Sequence, residues 1–124
     1  ISQKIIHNKI LYEFESNKIY LNSELTILDL VQQVGSNRTN ISTIINHVYN
    51  QNFCAFVNGY RINELERIIL DQACPVNEIL AEKAGFGSVK SMKRAISLKT
   101  GLAMSEWLEQ VAMSEKELKN PPKR

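Results

Sequence analysis

The chain has 124 residues, of which 44% are hydrophobic and 23% charged, and its formal net charge is +2. This length suits one compact domain or two small lobes, and the composition excludes a disordered, collagen-like or coiled-coil protein. The sequence contains neither an apolar run of roughly 20 residues nor a signal peptide, so we expect a cytoplasmic protein and no membrane contact by this segment.

Helical periodicity dominates the sequence, and no stretch sustains the alternation of polar and apolar residues that a strand requires. We therefore predict an all-α fold of about seven helices. The first helix covers residues 2–15, because Ile6, Ile10 and Phe14 recur every four residues and form one apolar stripe. We expect this helix either to pack on the rest of the chain or to lead from a region upstream of Ile1.

A helix, a tight turn and a second helix follow the connection at residues 16–25. Thr26 and Asp29 form a capping box in which Asp replaces the usual Glu, which predicts a helix start. The helix ends near Gly35, which can adopt a positive φ. Asn37 then offers an N-cap for a second helix over residues 38–49.

A long apolar stripe over residues 53–71 predicts a single linker helix of about 19 residues. Pro75 is predicted to open the next helix, since proline is tolerated in a first helical turn. The apolar face of that helix would comprise Val76, Ile79, Leu80 and Ala84. Gly85 would end it.

The last part of the chain predicts a second helix-turn-helix unit and a closing helix. Ser88 is a candidate N-cap for a helix that ends before Gly101. The closing helix contains Trp107, Leu108 and Val111, and we expect a frayed tail over residues 116–124.

These elements give a predicted order of five segments. They are an N-terminal helix and connection (residues 1–25), a first helix-turn-helix (26–52), a linker helix (53–72), a second helix-turn-helix with the closing helix (73–113), and a tail (114–124).

The two helix-turn-helix stretches repeat each other, and this repeat is the strongest signal in the sequence. Leu30, Val31, Val34 and Gly35 match Leu80, Ala81, Ala84 and Gly85 at an offset of 50, while Asn37, Ile41 and Ile45 match Ser88, Met92 and Ile96 at an offset of 51. Two helices that cross through a short turn need a small residue at the crossing, a glycine in the turn and apolar residues that lock the second helix.

Residues 25–107 resemble the DNA-binding domain of the AraC family of bacterial transcription regulators. The matching elements are residues 25–30, Phe53, residues 60–62, residues 81–88, Met92, Arg94, Ile96, Lys99, Gly101 and Trp107. The resemblance implies double-stranded DNA as a partner, contact with RNA polymerase, and a sensing or dimerising region upstream. It also implies association with the nucleoid when the protein is bound to DNA.

The chain departs from the family's pattern at a few positions. Asn50 replaces a usual glycine, Met92 a usual phenylalanine and Met104 a usual proline, and Asn77 lies where an apolar residue is expected. Val31 is larger than the residue preferred at the first helix crossing.

Candidate DNA-contacting residues lie on the second helix of each unit, which in a helix-turn-helix enters the major groove. Charge favours the second unit, because residues 73–124 carry a net +3 against −1 for residues 1–36. A linker of about 19 residues spans roughly 28 Å, close to the 34 Å repeat of B-DNA, so one chain could read successive grooves. The candidates are Asn37, Arg38, Thr39, Asn40, Ser42 and Thr43 in the first unit, and Ser88, Val89, Lys90, Lys93 and Arg94 in the second.

The sequence does not decide whether each of these residues contacts a base or the DNA backbone. Arg38 can donate to guanine O6 and N7, and Asn40 can pair with adenine, but each can also meet phosphate or solvent. Val89 would either touch a thymine methyl or be an ordinary exposed valine.

A protein-interaction module made of helical hairpins is the alternative function. An enzyme is disfavoured, because no serine has a histidine at a suggestive spacing and no phosphate loop is present. His7 and His47 have no companions at ligand spacing, so we expect neither a metal nor a cofactor. Cys54 and Cys74 flank the linker helix on the order of 30 Å apart, so we expect free thiols.

Overall fold

The computed structural model describes residues 2–72 and 75–119, with side chains through residue 114. The all-α prediction is confirmed: the described residues form seven α-helices and one short 3-10 helix, and they contain no strand. The helices are α1 (Gln3–Glu15), α2 (Ile27–Val34), α3 (Arg38–Tyr49), α4 (Phe53–Asp71), α5 (Glu78–Lys83), α6 (Val89–Thr100) and α7 (Met104–Lys119), with the 3-10 helix at Ile19–Leu21.

The chain divides into two compact units, and their boundary falls inside α4. Unit 1 is Ile1–Arg61 and unit 2 is Ile62–Arg124. α7 reaches Lys119, beyond residue 113, where the sequence places the end of the closing helix. The predicted tail is therefore helical as far as Lys119, and residues 120–124 lie outside the described part. Cys54 is an exposed free thiol, while Cys74 also lies outside the described residues.

Unit 1 is built around the apolar stripe of α1. Ile6, Ile10 and Phe14 are 2%, 0% and 0% exposed. They share a core with buried residues of α2, α3 and the first half of α4, namely Leu30, Val34, Ile41, Ile44, Ile45, Phe56 and Val57. α1 therefore packs on the first helix-turn-helix and belongs to its core.

The predicted caps of unit 1 are present. The Asp29 N–H donates to Thr26 Oγ1 at 3.3 Å, and the Thr26 N–H donates to Asp29 Oδ2 at 2.9 Å, which completes the capping box. Gly35 ends α2 with φ at 75°, and Asn50 ends α3 in the same left-handed region with φ at 53°. Asn tolerates this conformation because its short polar side chain can bond locally, so it can take the place of glycine at the end of α3.

The connection between α1 and α2 is held by an arginine of α4. Arg61 Nε donates to the carbonyl oxygen of Tyr20 at 2.8 Å, and an Arg61 guanidinium N–H donates to the carbonyl of Asn22 at 2.8 Å. Tyr20 itself is 5% exposed. The connection between α1 and α2 is thus held in place by the hydrogen bonds of Arg61 and by the burial of the Tyr20 ring.

Unit 2 has its own core, to which α5, α6, α7 and the second half of α4 contribute. Its buried residues are Ile62, Leu65, Ile68, Leu80, Ala81, Ala84, Phe86, Met92, Ala95, Ile96, Met104, Trp107 and Val111. Ala81 is 0% exposed, as the predicted small residue at the helix crossing requires.

The predicted start of α5 was wrong. Pro75 and Val76 precede the helix, and the N-cap is Asn77, whose Oδ1 accepts from the Leu80 N–H at 3.0 Å. Val76 and Ile79, which the sequence placed on the apolar face, are 37% and 63% exposed. An asparagine that satisfies a free N–H fixes the helix start more strongly than the mere tolerance of proline in a first turn.

The aromatic cluster of unit 1 makes its stability sensitive to alkaline pH. The Tyr60 ring lies 5.1 Å from that of Phe14 and 5.2 Å from that of Phe56. Burial, and to a lesser extent the negative charge of Glu15, raises the pKa of Tyr60 to about 12. The fold favours the neutral phenol, so the stability that this tyrosine contributes is complete below pH 10 and is lost as the pH rises toward 12.

We expect the free energy of unfolding of unit 1 to fall between pH 10 and 12 in the wild type and to fall less steeply in Tyr60→Phe. Urea denaturation at several pH values, followed by tyrosine signals, measures this. Equal slopes in the two proteins would contradict the assignment to Tyr60.

Candidate nucleic-acid interface

The start of α3 presents polar side chains above an apolar face. The Asn37 side chain caps the helix by accepting from the Asn40 N–H at 2.8 Å. Arg38 and Thr39 are exposed, while Ser42 and Thr43 are half-buried. The opposite face is closed, because the three isoleucines Ile41, Ile44 and Ile45 are at most 2% exposed.

Asn40 is half-buried and already has a partner. Its Nδ2 donates to Ser36 Oγ at 3.4 Å. One N–H of the amide and the Oδ1 atom therefore stay available to a base edge, which is the pair that adenine N7 and N6 require.

The far end of α3 is attached to α1, which the sequence did not predict. The His7 Nε2 and the Tyr49 hydroxyl lie 2.7 Å apart, and their rings meet edge to face with centroids 5.5 Å apart. Asn46 and His47 are exposed beyond the predicted contact residues. The signal for them was present in the sequence, because they continue the helical face of Thr39 and Thr43 at steps of three and four residues.

α6 carries a basic surface. Ser88 caps the helix by accepting from the Ser91 N–H at 3.1 Å. Lys90, Lys93 and Arg94 are all exposed. Lys99 is exposed further along the helix, and the first turn holds no acidic residue. Met92 and Ile96 point inward at 0% exposure, so Lys90, Lys93 and Arg94 lie on the face away from the core.

Val89 is less exposed than the sequence analysis assumed, both for a contact with a thymine methyl and for an ordinary exposed valine. It is half-buried and packs against the core of unit 2. It also lines an open groove of about 480 Å³ together with Val76, Lys93, Ala103, Met104, Ser105 and Leu108. Its side chain therefore contributes to packing of unit 2.

A carboxylate stands at the start of α6. Glu78 is the first residue of α5, and its Oε2 accepts from the Val89 N–H at 3.3 Å. Val89 is the first residue of α6 after the Ser88 cap. One of the N–H groups that a helix start leaves without an intrahelical partner is thus satisfied by a negative charge.

Two other kinds of site receive no support from the described residues. Within 2–72 and 75–119, no group of three or more His, Cys, Asp or Glu side chains could hold a metal ion. Over the same ranges, no helix combines the length and apolarity needed to cross a membrane.

No protein-family model and no curated protein matches the sequence, but solved structures match the fold. The C-terminal domain of AraT, a response regulator from Geobacillus stearothermophilus, has a TM-score of 0.69 at 16% identity, over 86% of this chain and 84% of that one. The C-terminal domain of the two-component response regulator YesN from Fusobacterium nucleatum has a TM-score of 0.64 at 16% identity, over 84% and 94%. A protein of unknown function from Listeria innocua has a TM-score of 0.65 at 18% identity, over 82% and 92%.

The chain therefore has the fold of response-regulator C-terminal domains. The likeness extends over most of each chain, so it includes both units. At these identities it concerns the fold, and any functional conclusion depends on the side chains of α3 and α6.

Proposed function

We propose that this chain is a sequence-specific double-stranded DNA-binding domain of a bacterial transcription regulator of the AraC type, with α3 and α6 as its recognition helices. One observation carries the proposal. In each unit, a capped helix of 12 residues buries one face in its own core and exposes polar or basic side chains on the other. The likeness to C-terminal domains of response regulators supports it, since such proteins act in regulation.

In this proposal α3 reads bases. Arg38, in the first helical turn, donates to guanine O6 and N7, and Asn40 pairs with adenine through the amide atoms that Ser36 leaves available. Each such pair contributes roughly 1–3 kcal/mol of discrimination against the wrong base. Asn37, Thr39, Ser42 and Thr43 provide further polar contacts along the same helix.

α6 supplies most of the attraction to phosphate in this proposal. Lys90, Lys93 and Arg94 lie on its exposed face, and Lys99 is exposed near its C-terminal end. Their charge gives affinity without sequence information, because phosphates are the same at every base pair. Ser88 contributes as the helix cap, and Arg94 is the cation we assign to either a base edge or a phosphate.

α4 is the linker between the two recognition elements. It is 19 residues long, which corresponds to roughly 28 Å. We propose that α3 and α6 enter successive major grooves, so that a bound site contains two half-sites about one helical turn apart. Contact with RNA polymerase is a further proposal that follows from the AraC resemblance.

Selection of bound duplexes from a random pool, followed by titration of the selected duplex at several salt concentrations, tests this function. We expect a consensus with two half-sites and an affinity that falls steeply between about 50 and 200 mM salt. A consensus with one half-site would contradict the use of successive grooves. Absence of duplex binding, or an affinity that does not depend on salt, would favour the protein-interaction module.

A further inference from the structure

The two proposed recognition helices differ at their first N–H group. In unit 2, the Val89 N–H donates to the carboxylate of Glu78 at 3.3 Å. The equivalent position in unit 1 is Arg38, which follows the cap Asn37 as Val89 follows the cap Ser88. Among residues 2–72 and 75–114, no carboxylate hydrogen-bonds the Arg38 N–H, and the acid of α2 is engaged in its own capping box.

The start of a helix attracts anions, because unpaired N–H groups and the helix dipole both favour negative charge there. A DNA phosphate and the Glu78 carboxylate therefore favour the same position at the start of α6. Both are anions, so they repel each other when they approach the same N–H group. For a phosphate to bind there, Glu78 must leave, and α6 then loses a favourable interaction within the protein.

We propose that Glu78 limits the affinity of unit 2 for DNA by holding a negative charge at the start of α6. This inference rests on the proposed DNA-binding function and assigns Glu78 as a residue that sets affinity and its salt dependence. Unit 2 then depends on its side-chain cations for phosphate binding, whereas the start of α3 remains available to phosphate through its backbone. The more basic unit thus carries an opposing charge, which restrains binding to DNA of any sequence.

The test compares Glu78→Gln with Glu82→Gln in the full chain. Glutamine keeps an oxygen that can accept from the Val89 N–H, so the local geometry is retained while the charge is removed. Glu82 lies one turn further along α5 and is exposed, so Glu82→Gln changes the net charge by the same amount. Affinities are measured for the selected duplex and for an unrelated duplex at several salt concentrations, and thermal unfolding is measured without DNA.

We expect Glu78→Gln to bind both duplexes about 3-fold more tightly or better at low salt, on the scale of one charge at a helix terminus. The slope of log affinity against log salt should steepen by up to about one, because one negative charge no longer opposes the phosphates. The unfolding temperature should stay equal or fall slightly, because α6 loses a favourable charge at its start. Binding then tightens without any gain in stability, which a purely structural role of Glu78 does not produce.

Equal tightening by Glu78→Gln and Glu82→Gln would overturn the inference, because net charge alone would account for both. Unchanged or weaker binding by Glu78→Gln would overturn it as well. In either case, a wild-type protein that binds duplex with a steep salt dependence would leave the proposed function intact. A wild-type protein that binds no duplex would contradict the proposed function and, with it, this inference.

Discussion

Replacement of both Arg38 and Arg94 by alanine is expected to weaken binding to the selected duplex by at least about 30-fold, since each arginine contact is worth roughly 1–3 kcal/mol. Both side chains are exposed, so their loss leaves no cavity in either core. Arg38→Ala alone should also relax the preference for guanine at one position. Arg94→Ala alone should lower affinity for all duplexes if Arg94 binds phosphate, and should relax preference at one position if it binds a base.

The matched control removes two positive charges from α1. Lys4 and Lys9 are exposed and lie on a helix that we do not assign to DNA. The variant with both changed to alanine should lose much less affinity than the arginine variant, because only general attraction is reduced. Titration of the selected and unrelated duplexes, with circular dichroism to verify the helical content, measures both variants. Equal losses in the two variants, or unchanged binding in the arginine variant, would show that the recognition faces are assigned wrongly.

Local signals in the sequence predicted most of the fold. The capping box of Thr26, the cap Asn37 and the positive φ of Gly35 depend on residues close in the chain, and all three are present in the structure. The helical stripe of α1 likewise predicted its three buried residues. Met104, where the AraC family usually has proline, is the first residue of α7, a position that proline also tolerates.

Features that depend on competition or on distant residues were not predictable in this way. The sequence placed the start of α5 at Pro75, and the bond from the Leu80 N–H to Asn77 shows that the helix begins after Asn77 instead. The Val89 N–H and the carboxylate of Glu78 come together through the packing of α5 against α6. Arg61 reaches the carbonyl of Tyr20 across 41 positions in the chain, and periodicity carries no information on such a pair.

The exposed face of α3 could be predicted in outline from helical periodicity. Helical periodicity places Thr39 on the face opposite Ile41 and Ile44, so its exposure followed from the sequence. Half-burial of Asn40 and its bond to Ser36 depend on how α2 and α3 meet at the turn, which the sequence specifies only indirectly. The sequence therefore predicted which face of the helix is exposed, but not which side chains hydrogen-bond to each other.

α1 is the element whose role the structure decides, and Phe14 is its most informative residue. The Phe14 ring is 0% exposed and lies 4.8 Å from the ring of Phe56, with Tyr20 and Tyr60 also in contact. Phe14→Ala should lower the free energy of unfolding of unit 1 by about 3–5 kcal/mol, as for other buried phenylalanines. That is a large part of the total stability of a small domain, which is on the order of 5–15 kcal/mol.

The aromatic residues allow the two units to be followed separately. All four tyrosines lie in unit 1, and the single tryptophan, Trp107, lies in the core of unit 2. In a urea titration, near-ultraviolet tyrosine signals therefore measure the loss in unit 1, while Trp107 fluorescence measures unit 2. The control Ile5→Ala removes an apolar side chain from the same helix at a position that is 49% exposed, and it should change stability by less than about 1 kcal/mol.

Loss of the Phe14 ring should reach the proposed DNA-binding surface as well. Ile41, Ile44 and Ile45 on the inner face of α3 belong to the same core as Phe14, so a weakened core holds the recognition helix less firmly. We expect Phe14→Ala to bind the selected duplex more weakly than Ile5→Ala, with bound duplex restoring part of the lost stability by mass action. A loss of stability in Phe14→Ala no larger than in Ile5→Ala would mean that α1 is not part of the core that positions α3.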